Sequence, residues 1–157
     1  MALITPIRPD FLLKARNAGL DDQNQAVVFK IAEGGEPCRD ILRRARAGEK
    51  IILASYCPFG APGPYKEYGP IFIRAQASDE QPDLTQLPLP SGKDTDYLGQ
   101  NFVLRAYNRG EEIVDAELVS PSNAQLVLDN FLSNPVVEFV LLRFAAYGCY
   151  ALKIERD

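Results

Sequence analysis

Histidine is absent from the 157 residues of this chain, and that absence bounds its chemistry more tightly than any residue present. It removes the usual general base, the Ser-His-Asp and Cys-His pairings, and the commonest transition-metal ligand. Cys38, Cys57 and Cys149 are three thiols, widely and oddly spaced, and without His they make no structural zinc site. No G-x-x-x-x-G-K-[ST] and no G-x-G-x-x-G after a strand is present to cradle a nucleotide phosphate. The acidic residues form no evident acid/base dyad. The inventory points to a protein with no cofactor and no metal, and to binding rather than catalysis.

Two features could still do chemistry. The segment Tyr56-Cys57-Pro58-Phe59-Gly60-Ala61-Pro62-Gly63-Pro64-Tyr65-Lys66-Glu67-Tyr68-Gly69-Pro70 combines four aromatics with seven Pro or Gly residues. Proline lowers the entropy cost of fixing a loop, and Tyr offers a flat apolar body with a polar tip. The loop reads either as a lid folded onto the core or as a binding surface. Cys38 sits beside Arg39, whose charge would favour the thiolate, while an inert core thiol is the competing reading. Cys57 heads the loop and is expected to be the most exposed of the three thiols; Cys149 is expected to face the core. Arg39, Arg43, Arg44, Arg46 and Lys50 form a short basic cluster, either a solvated strand edge or turn, or an anion-binding patch.

The totals fit one globular domain over 1–157, with 46% hydrophobic and 24% charged residues. A net charge of -4 argues against nucleic acid as a partner. The N-terminus lacks the charged and apolar regions of a signal peptide, and no apolar run is long enough to span a bilayer. A soluble, cytoplasmic protein with reduced thiols is expected.

The elements that must position these residues follow from periodicity. Ala2 to Ile7 reads as a strand or arm. Pro9 opens a helix with Phe11, Leu12 and Ala15 on one face, closing near Gly19. Ala26 to Ile31 reads as a strand. Residues 38–46 suit either a helical turn or a strand entering a hairpin. Lys50 to Tyr56 is nearly continuous in apolar residues and reads as a central strand. Ile71 to Ala75 is a strand, and 78–96 a long surface loop. Phe102–Tyr107 and Glu112–Val119 flank Asn108-Arg109-Gly110-Glu111 as a hairpin. A helix follows with Ser120 or Ser122 as N-cap and Ala124, Leu128, Phe131 and Leu132 on one stripe, ended by Asn134-Pro135. Val136 to Phe144 and Cys149 to Ile154 are strands, with Gly148 marking a break or bulge. The expected fold is α+β: one mostly antiparallel sheet of about six or seven strands with two helices packed on it.

Several strings, in order, carry a resemblance: Pro37-Cys38-Arg39; Ala47-Gly48-Glu49 leading into Ile52-Leu53 and Tyr56; Pro64-Tyr65; Gly69-Pro70-Ile71-Phe72; Leu104-Arg105-Ala106-Tyr107; and Gly148-Cys149-Tyr150-Ala151. Over roughly residues 25–157 the chain resembles a bacterial family known as domain of unknown function 1203. The resemblance implies no activity. It does imply that Cys38, Arg39, Tyr56, Tyr65, Arg105, Cys149 and Tyr150 belong to one recurring pattern. It also implies a His in the strand before the Gly-Cys-Tyr string, where this chain reads Leu142-Arg143-Phe144-Ala145-Ala146-Tyr147; a chemistry that used that His would be lost here and binding kept. Three readings result. The leading one is a non-catalytic domain binding a small anionic ligand or a protein partner through the 56–70 loop, with Arg39, Tyr56, Tyr65, Arg105 and Tyr150 converging on one opening. The second is a thiol-dependent enzyme or redox protein with Cys38 or Cys57 as nucleophile. The third is a structural module in which the loop aromatics bury against a second copy in a homodimer.

Overall fold

Pro9 opens the first helix, α1 (Pro9–Leu13), at a position where its missing N–H leaves no bond unmade. A π-helical turn, Lys14–Ala18, continues it, and Gly19 ends it at φ 67°, a conformation that glycine reaches without Cβ strain. Phe11 and Ala15 are fully buried on the expected face. These features come from a computed structural model that describes residues 2–89 and 97–157. Residues 90–96 of the expected long loop lie outside the described ones.

Ten strands follow the alternation of the sequence: β1 (Ala2–Thr5), β2 (Val28–Ile31), β3 (Pro37–Cys38), β4 (Arg43–Arg44), β5 (Lys50–Tyr56), β6 (Gly69–Arg74), β7 (Phe102–Tyr107), β8 (Ile113–Val119), β9 (Phe139–Phe144) and β10 (Tyr150–Arg156). They form two five-stranded sheets, ordered β1-β10-β9-β7-β8 and β2-β5-β6-β3-β4, where one sheet of six or seven strands was expected. The correction has a physical cause. Alternation identifies strands and their faces but carries no record of which strand pairs with which. Every pairing is antiparallel except β3 with β6, where Cys38 lies opposite Phe72. The ambiguous stretch 38–46 is a tight hairpin, β3 against β4, with Leu42 at φ 52° in the turn.

The sheets pack face to face. Ile52, Ala54 and Tyr56 on β5 and Ile71 and Ile73 on β6 meet Tyr107, Phe139, Leu141 and Tyr150 of the first sheet, with Phe11 and Ala15 closing one end. The opposite face of the first sheet is covered by α2 (Ala124–Ser133), through Ala124, Val127, Leu128 and Phe131. Neither Ser120 nor Ser122 caps α2. Asn123 stands at the N-cap, and its side-chain oxygen accepts from the Ser120 N–H at 2.8 Å. Asn134 ends the helix in an extended conformation before Pro135, as Pro requires of its predecessor. No helix among the described residues is long and apolar enough to cross a membrane.

One strand serves both cores. Tyr150 lies opposite Arg143 but Leu152 lies opposite Leu142, so β10 carries a bulge at Ala151. Tyr150 therefore faces the inter-sheet core, while Ala151, Leu152 and Ile154 face α2. β1 ends at Thr5 opposite Lys153, so the 150–151 segment has no strand neighbour on that side.

Arg43 ties the small hairpin down: its guanidinium donates to Glu49 at 2.8 and 2.9 Å and to Glu80 at 2.5 and 3.0 Å. The Arg43 bonds hold the Glu49 carboxyl at about 2, against an ordinary 4.5. A carboxylate depressed in the folded state contributes stability present above the ordinary value and lost as pH falls through the folded one. Glu49→Gln should therefore cost about 1.5–3 kcal/mol at pH 7 by urea denaturation. The gap from the unaltered chain should close between pH 4.5 and about 2.

Candidate functional site

Arg39 follows directly on β3, where its backbone N–H donates to the Phe72 carbonyl of β6 at 2.9 Å. That bond points its side chain across to the other sheet. Nε donates to the Tyr150 carbonyl at 2.8 Å and Nη1 to the Pro37 carbonyl at 2.7 Å. Beyond the end of β1, where β10 has no strand neighbour on one side, Arg39 takes the Tyr150 carbonyl and the Tyr97 hydroxyl donates to the Ala151 carbonyl at 2.7 Å. The Arg39 guanidinium lies 5.0 Å from the centre of the Phe144 ring, and that of Arg44 lies 5.6 Å from it. Tyr97 meets the same ring edge-on at 5.4 Å.

Arg39 is 2% exposed, yet among the described residues no carboxylate lies within ion-pair distance of it and its Nη2 donates to no atom. Burial pushes its pKa down, but a guanidinium remains charged throughout the accessible range. A buried charge without a counter-ion is costly, and the two carbonyls and the ring face offset only part of that cost. Arg39 lines a cleft of about 680 Å³ where the 145–149 turn of the first sheet overhangs β6, β3 and β4 of the second. Leu53, Pro70, Phe72, Leu98 and Phe144 make apolar walls; Glu33 to Pro37 form one rim, and Tyr147 and Cys149 the other. A larger groove of about 770 Å³ runs between β1 and α2, but its charged residues, Asp129 and Arg156, are exposed.

Of the five residues expected to converge, only Arg39 lines this cleft. Tyr56 and Tyr150 pack with ring centres 5.1 Å apart inside the inter-sheet core. The Tyr56 hydroxyl accepts from the Arg8 N–H at 3.2 Å, and the Tyr150 hydroxyl donates to the Pro6 carbonyl at 2.9 Å. Burial raises both phenols, so both stay neutral. The strand carrying Tyr56 belongs to the second sheet, whereas those carrying Arg105 and Tyr150 belong to the first. Arg105 reaches Glu67 at 3.8 Å, and the buried Arg143 pairs with the same carboxylate. Tyr65 is 42% exposed on the outer part of the loop.

The 56–70 loop divides in two. Cys57 and Phe59 are buried, with Phe59 packed edge-on against Tyr107 at 5.3 Å. Residues 60–68 are exposed and strapped down electrostatically, Glu111 accepting from the Gly60 and Ala61 N–H groups and Glu67 pairing with the two arginines. Cys38 is the inert core thiol of its two readings: it is fully buried, and burial, reinforced by Asp40, pushes it up to about 12 despite Arg39 beside it. Cys57 contradicts expectation, being buried with its Sγ 3.5 Å from the Phe59 carbonyl. Cys149 packs against the core as expected but is only half-buried, at the cleft rim. The basic cluster divides as well: Arg43 is spent on carboxylates, Arg44 walls the cleft, and Arg46 and Lys50 are exposed.

Phe144 and Tyr147 were not legible as site residues, because aromatics near a turn have no spacing that separates wall from core. The Gly34-Gly35 rim offered only a turn signal.

Fold and cleft together define a two-sheet α+β protein with a buried arginine at the wall of a mostly apolar cleft and no carboxylate beside it among the described residues. The chain belongs to the family described as "Protein of unknown function (DUF1203)", which matches residues 35–156. The match takes in every residue of the cleft named above except Glu33 and Gly34. No curated protein and no solved structure matches the chain.

Thiol exposure is directly measurable. Native alkylation should modify Cys149 alone, Cys149→Ser should abolish it, and Cys38 and Cys57 should react only on unfolding. Fast native modification of Cys38 would contradict its burial.

Proposed function

We propose that this protein is a non-catalytic binding domain for a small anionic ligand, seated in the cleft between the sheets. The observation that carries this reading is Arg39, a buried cation with two nitrogens bonded to carbonyls and, among the described residues, no acceptor for the third and no carboxylate beside it. An anion from solution would complete the pairing and recover part of the desolvation cost, as charge-assisted bonds do. The cleft volume lies within the ordinary range for small-molecule sites, and apolar walls with few polar groups are their usual composition. In this reading the 56–70 loop supports the site through Pro70 rather than through its tyrosines. The thiol-enzyme alternative loses its footing, since both proposed nucleophiles are buried. A reducing, cytoplasmic setting belongs to the proposal, and three unpaired thiols support it.

A thermal-shift screen of anionic metabolites tests it. A ligand at ~100 times its Kd adds about 2.7 kcal/mol, which for a chain of this size raises Tm by about 5–10 °C. Arg39→Lys keeps the charge but loses the fork, and should remove most of the shift. No stabilisation by any anion across a broad screen would defeat the proposal.

Self-association is a second reading, favoured by β2. This edge strand exposes Val28, Phe29 and Ile31 at 51%, 63% and 60%. Such an edge is a template for pairing with another copy. Light scattering at micromolar concentration should then give a dimer that Phe29→Lys returns to monomer; a monomeric unaltered chain rejects this reading.

A further inference from the structure

We infer that the ligand is an organic monocarboxylate with a flat apolar body, its carboxylate on Arg39 and its body against Leu53, Phe72 and Phe144; this rests on the anion-binding reading above. The charge balance of the cleft limits the head group. Two arginines line it, but so do Glu33 and Glu36, so a polyanion would meet repulsion that a single charge avoids.

The donor supply limits it further. Gly34 and Gly35, at φ 111° and 97°, form the kind of turn whose N–H groups can cradle phosphate. Here the cradle is already filled. Glu36 accepts from the Glu33 N–H at 2.8 Å and the Gly34 N–H at 2.9 Å, and the Gly35 N–H donates to the Ala45 carbonyl at 2.9 Å. Although burial opposes it, these bonds hold the Glu36 carboxyl below its ordinary value, so the chain's own carboxylate keeps the place a phosphate would take. No lysine among the described residues lines the cleft. Of the five N–H donors of Arg39, the two on Nη2 and the second on Nη1 have no described acceptor, a fork that suits the two oxygens of one carboxylate and leaves the further oxygens of a phosphate or a tricarboxylate without a donor from Arg39.

The walls define the rest of the ligand. Leu53 and Phe72 face each other across β5 and β6 and alternate with residues that point into the inter-sheet core, so both turn their apolar surface to the cleft. Phe144 is held in place by Arg39, Arg44 and Tyr97. Tyr147, 88% exposed on the rim, is an aromatic surface with little of its own area covered. Planar apolar ligands stack on such surfaces in offset or edge-on geometry.

Cys149 on the rim supplies a reporter. The full chain would be alkylated with neutral iodoacetamide in the presence of benzoate, phenylacetate, benzyl alcohol, inorganic phosphate or citrate, with Tm measured in parallel. Benzoate and phenylacetate should slow Cys149 alkylation and raise Tm; benzyl alcohol, phosphate and citrate should do neither. Arg39→Lys should weaken the carboxylates on the order of 10-fold, the equivalent of about 1.4 kcal/mol. Ala146→Glu, an exposed cleft residue whose change leaves the core untouched, should weaken them without lowering the Tm of the free protein. Protection by phosphate or citrate, lost in Arg39→Lys, would overturn the monocarboxylate class and leave anion binding standing. Equal protection by benzyl alcohol would overturn the role of the head group. Absence of protection and of stabilisation by every anion would overturn both readings.

Discussion

A single guanidinium joins the two sheets by hydrogen bonds, and the architecture around it follows from that join. Arg39 hangs from β6 by its backbone, holds the Tyr150 carbonyl of β10 with Nε, and folds back on Pro37 with Nη1. Apolar packing between sheets is indifferent to small sliding, whereas a fork that must meet two carbonyls fixes one relative position. The two-residue strand β3 and its tight hairpin place Arg39 where its Nε reaches the Tyr150 carbonyl of the other sheet.

Opposite the cleft, charge is used in a more ordinary way. Glu67 and Glu111 strap the outer half of the 56–70 loop to the first sheet through groups that, apart from the buried Arg143, are exposed or half-exposed. Such contacts are weak singly and are screened by salt. Phe59, buried and packed edge-on against Tyr107 and Phe139, provides the apolar anchor. The loop is thus a lid in its first half and a surface in its second.

Much of the fold was legible in the residues because local rules governed it. Pro9 and Gly19 bounded the first helix, Asn134-Pro135 ended the second, and the β7–β8 hairpin stood out by its turn. The division into two sheets was not legible, since pairing between β5 and β6 or β9 and β10 depends on contacts far apart in the chain. At the site, Arg39 was visible through its neighbours in sequence, but its burial was not. Nothing near Arg39 announces that a carbonyl 111 residues away will receive its Nε. For Cys38 the general tendency of cysteine to be buried outweighed its closeness to an arginine, as the core-thiol reading has it. Arg105 looked like an anion contact because Glu67, its partner, sits on a loop with no periodicity to aim it.

The bulge at Ala151 sets the parity of β10. Upstream of it, odd and even positions address one core, and downstream the assignment is exchanged, so that Tyr150 and Lys153 share a face while Leu152 and Ile154 share the other. Loss of one residue between Gly148 and Leu152 would let the ladder run straight and rotate every side chain before it by half a turn. Tyr150 would leave the inter-sheet core, and its carbonyl would turn away from Arg39. The spacing from Gly148 to Leu152 is therefore a counting device, and this stretch should tolerate changes of side chain far better than changes of length.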